Sequence, residues 1–375
     1  MAIIGRPVLK LPLFIMSLYG LNLFNPSKNY RKFLIIWLAQ TVIASTTLVV
    51  LKDFQELDAD VWITFMAASQ GTIKSVVLLI KKETFVEVKE LLNNLRLQRG
   101  NVEDTDSMRN FECFAIRCQN TYSFLQLLSL LAFMGKPFVM DGRILPSEGY
   151  TPCDIRGDAC YIFSYILQCY AGIYSILVIV SADDLFWGLL SCGYIDMEYV
   201  KHILLHLKVE ERVEGDDSKV LQQIAFVVEQ HNQILMYLKK INRAYAGLLV
   251  YQCFITFFIV GMSQFCLTAS GFPPPLHIVS TYAPYFLASL FQIFLYCMAG
   301  DIVARQSETI GEAAYGSKWW LKHQPKLRRA LCLIIMRSQR TLKFTMVVWV
   351  LNLETFCAIL KTTMSFLAVM KTFYE

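Results

Sequence analysis

Apolar runs long enough to cross a bilayer recur along this chain and fix its class before any motif is considered. They lie near residues 33–51, 61–80, 118–136, 160–188, 246–268, 281–303 and 345–370. Each is roughly 20 residues, the length a helix needs to span the hydrocarbon core. Backbone in that core must bond to itself, so these runs are expected to be helices. Only 17% of the residues are charged and 55% are hydrophobic, against about a quarter charged in soluble domains. The expected fold is an all-α membrane protein with seven transmembrane helices. The net charge of +5 is small and sits in loops, which points to membrane topology rather than nucleic-acid binding.

Lys and Arg set the orientation. Residues 1–32 hold Arg6, Lys10, Lys28, Arg31 and Lys32 and no acid, whereas the loop after the first run holds Asp53, Glu56, Asp58 and Asp60 against Lys52. The loop before the seventh run carries Arg305, Lys318, Lys322, Lys326, Arg328, Arg329, Arg337, Arg340 and Lys343, with Glu308 and Glu312. Both basic segments are expected in the cytoplasm, which places the N-terminus inside and the C-terminus outside. G-protein-coupled receptors have the opposite orientation. They also carry an Asp-Arg-Tyr after span three and an Asn-Pro-x-x-Tyr in span seven, which this chain lacks. The apolar stretch from Leu11 to Phe24 is interrupted by Pro12 and Gly20 and has no small-x-small cleavage site. It is expected to stay and to lie on or dip into the membrane. Asn25 precedes Pro26 and is no glycosylation acceptor.

The last run differs from an ordinary span. Asn352, Glu354, Thr355, Lys361, Thr362, Thr363, Ser365 and Thr372 fall within or just beyond it. Polar groups in a bilayer are costly and face a bundle interior or a water-filled path. Ser/Thr bonding between packed helices is the plainer alternative.

This region also resembles a known family. LIIMRSQR (Leu333 to Arg340) followed by LETFCAILKTTMSFLAVM (Leu353 to Met370) is similar to the C-terminal signature of insect odorant receptors. Cys297, Gly300, Ser307, Ile310, Ala313, Tyr315 and Trp319 match that family's sixth-span block. Thr341 stands where the family usually has Pro, at the base of the last helix. The resemblance implies the ligand-tuning subunit of an odorant-gated non-selective cation channel in the plasma membrane of olfactory sensory neurons. The implied partners are a small volatile odorant, co-receptor subunits, membrane lipid and permeating cations. Gustatory receptors, a sister family, carry a Thr-Tyr and a Gln-Phe pair in the last span, where this chain has Leu-Glu-Thr-Phe. The alternatives are a gustatory-type channel and a ligand-binding membrane protein without a pore; internal repeats and broken helices of a transporter are not evident.

Ligand pockets are mostly apolar with a few orienting polar groups. The outer halves of four spans offer that mixture: Phe65, Ser69 and Thr72; Leu128 and Ala132; Tyr161, Tyr165, Gln168 and Cys169; Tyr282, Tyr285 and Ser289. Aromatic walls with isolated hydroxyls and one amide suit a small, weakly polar volatile. In the family, spans two, three, four and six form the odorant pocket, and four copies of the last helix line the pore. Ser365, Val369, Thr372 and Phe373 share a stripe. Val369 and Phe373 are expected to form an apolar gate that excludes water, with the Thr372 hydroxyl beside it. Lys371 leaves two alternatives: it snorkels outward, or the pore holds one copy of this chain among co-receptor subunits.

The inner loops carry their own elements. Lys82 to Arg99 is helical in pattern. Within Asp196 to Arg243, residues Leu221, Ile224, Val228, Leu235 and Leu238 trace one apolar face, with Lys219, Gln222, Gln230, Gln233 and Lys240 opposite. Together with Ala330 to Ile335 they imply a cytoplasmic helical anchor bundle, which in the family holds four subunits together. The chain therefore divides into a cytoplasmic or membrane-surface segment (1–32) and spans one to six with the ligand pocket (33–303). Anchor helices (304–344) and the pore-lining last span with a short extracellular tail (345–375) follow. Motifs of catalysis are missing: no GxSxG, HExxH, Walker loop or GxGxxG after a strand. His202 and His206 lack a third metal ligand, and no cofactor is implied. Asp183 and Asp184, near the inner end of span four, are expected to cap or to pair with cytoplasmic Lys or Arg. There is no CxxC pair, and Cys153 and Cys160 flank an outer loop that a disulfide can close.

Overall fold

A computed structural model describes residues 6–21, 23–24, 37, 40, 59–100, 103–140, 142–147, 154–207, 217–269, 271, 273–321, 325–346 and 349–374. These residues are almost entirely helical. In chain order the helices are α1 (Pro7–Leu18), α2 (Ala59–Ile80), α3 (Lys82–Arg99), α4 (Asp106–Val139), α5 (Asp158–Leu205), α6 (Asp217–Ala269), α7 (Leu276–Gly316), α8 (Pro325–Ser338) and α9 (Leu353–Tyr374). Six of them are long and apolar enough to cross a membrane: α2, α4, α5, α6, α7 and α9. The expected first span, 33–51, falls almost wholly outside the described residues, as do Asn25 and Pro26.

Helix length explains the architecture. At about 1.5 Å per residue, the 53 residues of α6 and the 48 of α5 far exceed a bilayer. Their surplus must pack on protein. Burial along α5 marks the change: Ile162, Phe163, Ile166, Tyr170 and Ile173 are exposed, whereas every residue from Val178 to Val200 except Tyr194 is buried. The long helices α5, α6 and α7 thus share one core with α3 and α8. Phe186 sits at its centre, 4.7 Å from the Tyr245 ring and 5.0 Å from Tyr296. Gly193 gives room for Leu238, whose Cδ2 lies 2.6 Å from where a Cβ would stand.

The expected amphipathic face of α6 needs one correction. Ile224, Leu235 and Leu238 are buried, but Val228 is exposed and Val227 is fully buried in its place. On the opposite face, Gln230 is buried and donates its amide to Gln98 of α3. In α8, Leu327, Leu331 and Ile334 face the core. Helix α1 lays Val8, Leu9 and Met16 on α5 and leaves Phe14 and Leu18 exposed. A protein face rather than the membrane alone therefore receives the N-terminal apolar stretch.

The last span begins later than 345. Thr345–Met346 and Trp349–Val350 form a two-stranded antiparallel ladder, and the helix starts at Leu353. Asn352 is the reason. Its side-chain oxygen accepts from the Thr355 amide at 2.9 Å, while the Thr355 hydroxyl bonds the Val350 carbonyl at 2.7 Å. An Asx side chain accepting an amide three residues on is an N-cap. Asn352 therefore ends the lead-in instead of sitting as a polar group inside the membrane run.

Candidate functional site

Four of the described spans, α2, α4, α5 and α7, are joined through one carboxylate. Asp183 of α5 accepts from Lys74 Nζ of α2 and Tyr296 Oη of α7 at Oδ1, and from Tyr122 Oη of α4 and Gln292 Nε2 of α7 at Oδ2, each at 2.5 Å. The Lys74 side chain is 1% exposed and that of Asp183 6%. An amide relay extends the cluster to α6: Gln252 Nε2 donates to Gln292 Oε1 at 2.9 Å and Gln70 Nε2 donates to Gln252 Oε1 at 2.6 Å. Buried charges survive when paired and fully bonded, and breaking such a pair is costly. The expectation that Asp183 pairs with a cytoplasmic cation is thus corrected: its partner is Lys74, within span two. Asp184 receives a 3.2 Å bond from Ser123 of α4.

The expected ligand residues are not gathered at one point. Ser69 shares a 2.8 Å hydroxyl bond with Tyr251 of α6, and Phe65 packs in the cluster of Met66, Ile255 and Ile259, so this face of α2 meets α6. Thr72 bonds the Ala68 carbonyl of its own helix. Leu128 is exposed, Ala132 half-buried and Cys169 buried. Two residues of α5 latch the α4–α5 loop, Tyr161 donating to Ile144 O and Gln168 bonding both backbone groups of Ser147, while Tyr165 donates to Met134 O of α4, all at 3.0 Å. Cys160 is disulfide-bonded; Cys153 lies outside the described residues. Ser289 is buried. Tyr282 and Tyr285 of α7 join an apolar cluster with Ile63, Met262 and, on the last helix, Phe366 and Met370.

Beside that cluster lies a cavity of about 240 Å³ between α2, α6 and α9, walled by Trp62, Met66, Phe258, Met262, Phe366 and Met370 among others. Gly261 brings α6 close to α9: a Cβ there would stand 2.7 Å from Phe366 Cδ1. A second close approach lies at Gly300 of α7, where a Cβ would meet the Leu351 carbonyl oxygen at 2.3 Å. Ser307 and Asn242 bond the lead-in at Leu342 N and Thr345 N, at 3.1 and 3.2 Å. The other face of α9 is uncovered within one chain. Of its apolar window only 6% is buried, against 56% for α6 and α7. Val369 is 51% exposed, Ser365 and Thr372 are exposed, and Lys371 is half-buried. The Phe373 side chain lies outside the described set. Ser365 and Thr372 hydroxyls bond carbonyls one turn back, Lys361 O and Ala368 O.

Residues 57–364 match the family model described as 7tm Odorant receptor. The chain belongs to the odorant receptor family. This odorant receptor is 25% identical to Odorant receptor 45a of Drosophila melanogaster over 346 residues, 86% of each chain. It is also 25% identical to Odorant receptor 22c of the same organism, over 61% of this chain and 56% of the other. Its fold is similar to that of the insect olfactory receptor OR5 from Machilis hrabei, solved in complex with eugenol and also without it. The eugenol complex superposes with a TM-score of 0.80 at 16% identity, covering 98% of both chains. The odorant receptor is thus a multi-pass helical membrane protein of a receptor class rather than an enzyme family. Among its described residues no group of three or more His, Cys, Asp or Glu is placed to hold a metal. His202 and His206 instead face each other with ring centroids 4.1 Å apart.

Lys74, Tyr122, Gln292 and Tyr296 are not among the residues expected from sequence alone. The signal was present: one Lys and one Asp pair, each isolated in an apolar run, are groups that a membrane interior forces together.

Proposed function

We propose that this odorant receptor is the ligand-tuning subunit of an odorant-gated, non-selective cation channel, assembled with co-receptor subunits in the plasma membrane of olfactory sensory neurons. The N-terminus is cytoplasmic and the C-terminus extracellular. The carrying observation is the nearly bare last helix: a membrane-length apolar helix only 6% buried, with hydroxyls and Val369 on its free surface. Other subunits, lipid and a water path must share that surface. Val369 and Phe373 form the apolar gate, Thr372 and Ser365 line the approach, and Lys371 enters the pore once, from this chain alone.

The odorant occupies the outer half of spans two, three, four and six, among the candidate residues Phe65, Ser69, Thr72, Leu128, Ala132, Tyr161, Tyr165, Gln168, Cys169, Tyr282, Tyr285 and Ser289. A small volatile fits this reading, and the similar receptor from Machilis hrabei was solved with eugenol. Tyr282 and Tyr285 share packing with Phe366 and Met370, so displacement of either tyrosine presses on the gate helix from behind. The anchor residues 304–344 and the inner extensions of spans four to six hold the subunits together.

The test is co-expression with an insect co-receptor in cells whose G-protein signalling is blocked. Odorants from a volatile panel are expected to evoke cation current within the time of a solution change. Current that vanishes with G-protein signalling overturns the channel reading.

A further inference from the structure

The Asp183 carboxylate lies where the spans change character. Outward of it, α5 exposes Ile166, Tyr170 and Ile173; inward, every residue as far as Val200 except Tyr194 is buried. Donors reach this one group from α2, α4 and α7, and the Gln292–Gln252–Gln70 relay brings in α6 and returns to α2. Five spans therefore meet in a single buried network. The last helix does not enter it and is held by packing at Gly261 and by its lead-in at Gly300.

Charge makes this junction stiffer than a packed apolar layer. Bonds to an ionised acceptor are shorter and about twice as strong as neutral ones, and four converge here with the Lys74 ammonium also 6.0 Å from the Tyr296 ring centroid. An apolar layer of the same volume can slide; a carboxylate with four fixed donors cannot shift toward one helix without breaking a bond to another.

We propose that Asp183 and Lys74 are positioning residues for gating: they make spans two to six one body, so that ligand contact in the outer half moves the last helix instead of dissipating between spans. The proposal rests on the channel reading for its effect on current, but not for its effect on rigidity, and the two are measured separately.

The variant is the neutral, near-isosteric pair Lys74→Gln with Asp183→Asn, which keeps hydrogen-bonding capacity and avoids a lone buried charge. Lys74→Met alone leaves that lone charge and is expected to be retained inside the cell. In the first arm, purified receptor with Cys113, Cys332 and Cys357 replaced by Ser carries spin labels at exposed Leu127, Ile166 and Leu287. Distance distributions between these three helices are expected to broaden in the neutral pair, at unchanged helix content and monodispersity. In the second arm, the strongest wild-type agonist from the volatile panel is applied to receptor with co-receptor. Current per surface receptor is expected to need roughly tenfold more agonist, or to be lost, in the usual range of coupling between sites. Unchanged distance distributions overturn the proposal whatever the current does. Broadened distributions with wild-type agonist response show a structural junction without a gating role and overturn it too. A silent wild-type channel refutes the channel reading and overturns the gating role with it, while the first arm still decides rigidity.

Discussion

Replacing Gly300 by Ala should disable the receptor more than any other single methyl group added to a glycine along α7. The added Cβ would stand 2.3 Å from the Leu351 carbonyl oxygen and 3.1 Å from its carbonyl carbon. Ordinary contact begins near 3.4 Å, so the carbonyl must retreat by about 1 Å. It has nowhere to go: Leu351 is 1% exposed, and its amide donates to Phe344 O at 2.8 Å. Asn352 follows at once and caps the last helix. Overpacking of a tight core typically costs about 1–3 kcal/mol; a backbone clash that cannot relax by rotating a side chain belongs at or above the upper end. Part of that strain passes into α9, whose start is displaced. The internal control is Gly247→Ala on α6, where a Cβ meets nothing within 4 Å and the helix gains roughly 0.5–1 kcal/mol. Surface labelling and ligand-evoked current are measured for both. Gly247→Ala should match wild type, while Gly300→Ala should lose most current per surface receptor and melt earlier in detergent. Equal behaviour of the two variants refutes the close-approach argument.

Three further outcomes are expected. Burial, with a smaller contribution from the Arg337 charge, lowers the His231 pKa from 6.5 to about 4. Both folded and unfolded chains hold it neutral at pH 7; between 6.5 and 4 only the unfolded chain takes the proton, so stability is lost as pH falls through that window. At roughly 1.4 kcal/mol per pH unit the loss is on the order of 3 kcal/mol by pH 4, and His231→Phe should flatten that part of a melting-temperature-against-pH curve. Asp104 pairs with two buried cations, Arg6 at 3.3 Å and Arg99. Asp104→Asn should therefore cost on the order of 1–3 kcal/mol, below a fully buried pair because the carboxylate side chain is 30% exposed; a melting temperature unmoved in detergent contradicts this. Asn352→Ala removes the cap of α9 and should cost about 1 kcal/mol, whereas Asn352→Asp should retain most activity; equal currents from the two would show that the cap is not needed.

The membrane class and six of the seven span positions were legible because hydrocarbon leaves the backbone few solutions. Helix α3 and the first half of α6 were legible from their period, but the exact face of α6 was not: Val227 and Val228 are adjacent apolar residues, and neighbours on a helix point about 100° apart. The start of the last helix was misplaced because Asn352 in an apolar run has two meanings, a buried polar group or a cap, and only backbone geometry separates them. Lys74 and Asp183 are separated by 109 positions, so no local pattern joins them, even though each taken singly is anomalous. Tyr161, Tyr165 and Gln168 show the limit for ligand contacts: their polar tips reach backbone carbonyls of another segment. Composition reveals such tips but not what they bond to.

On the channel reading, the free surface of the last helix faces a water path that opens with ligand. Thr372→Cys, at an exposed position of the last helix, is to be expressed with the co-receptor and exposed from outside to a small cationic thiol reagent. Modification should be slow at rest, should accelerate when agonist is applied, and should block the evoked current. Modification at one rate with and without agonist, leaving the current intact, would contradict it.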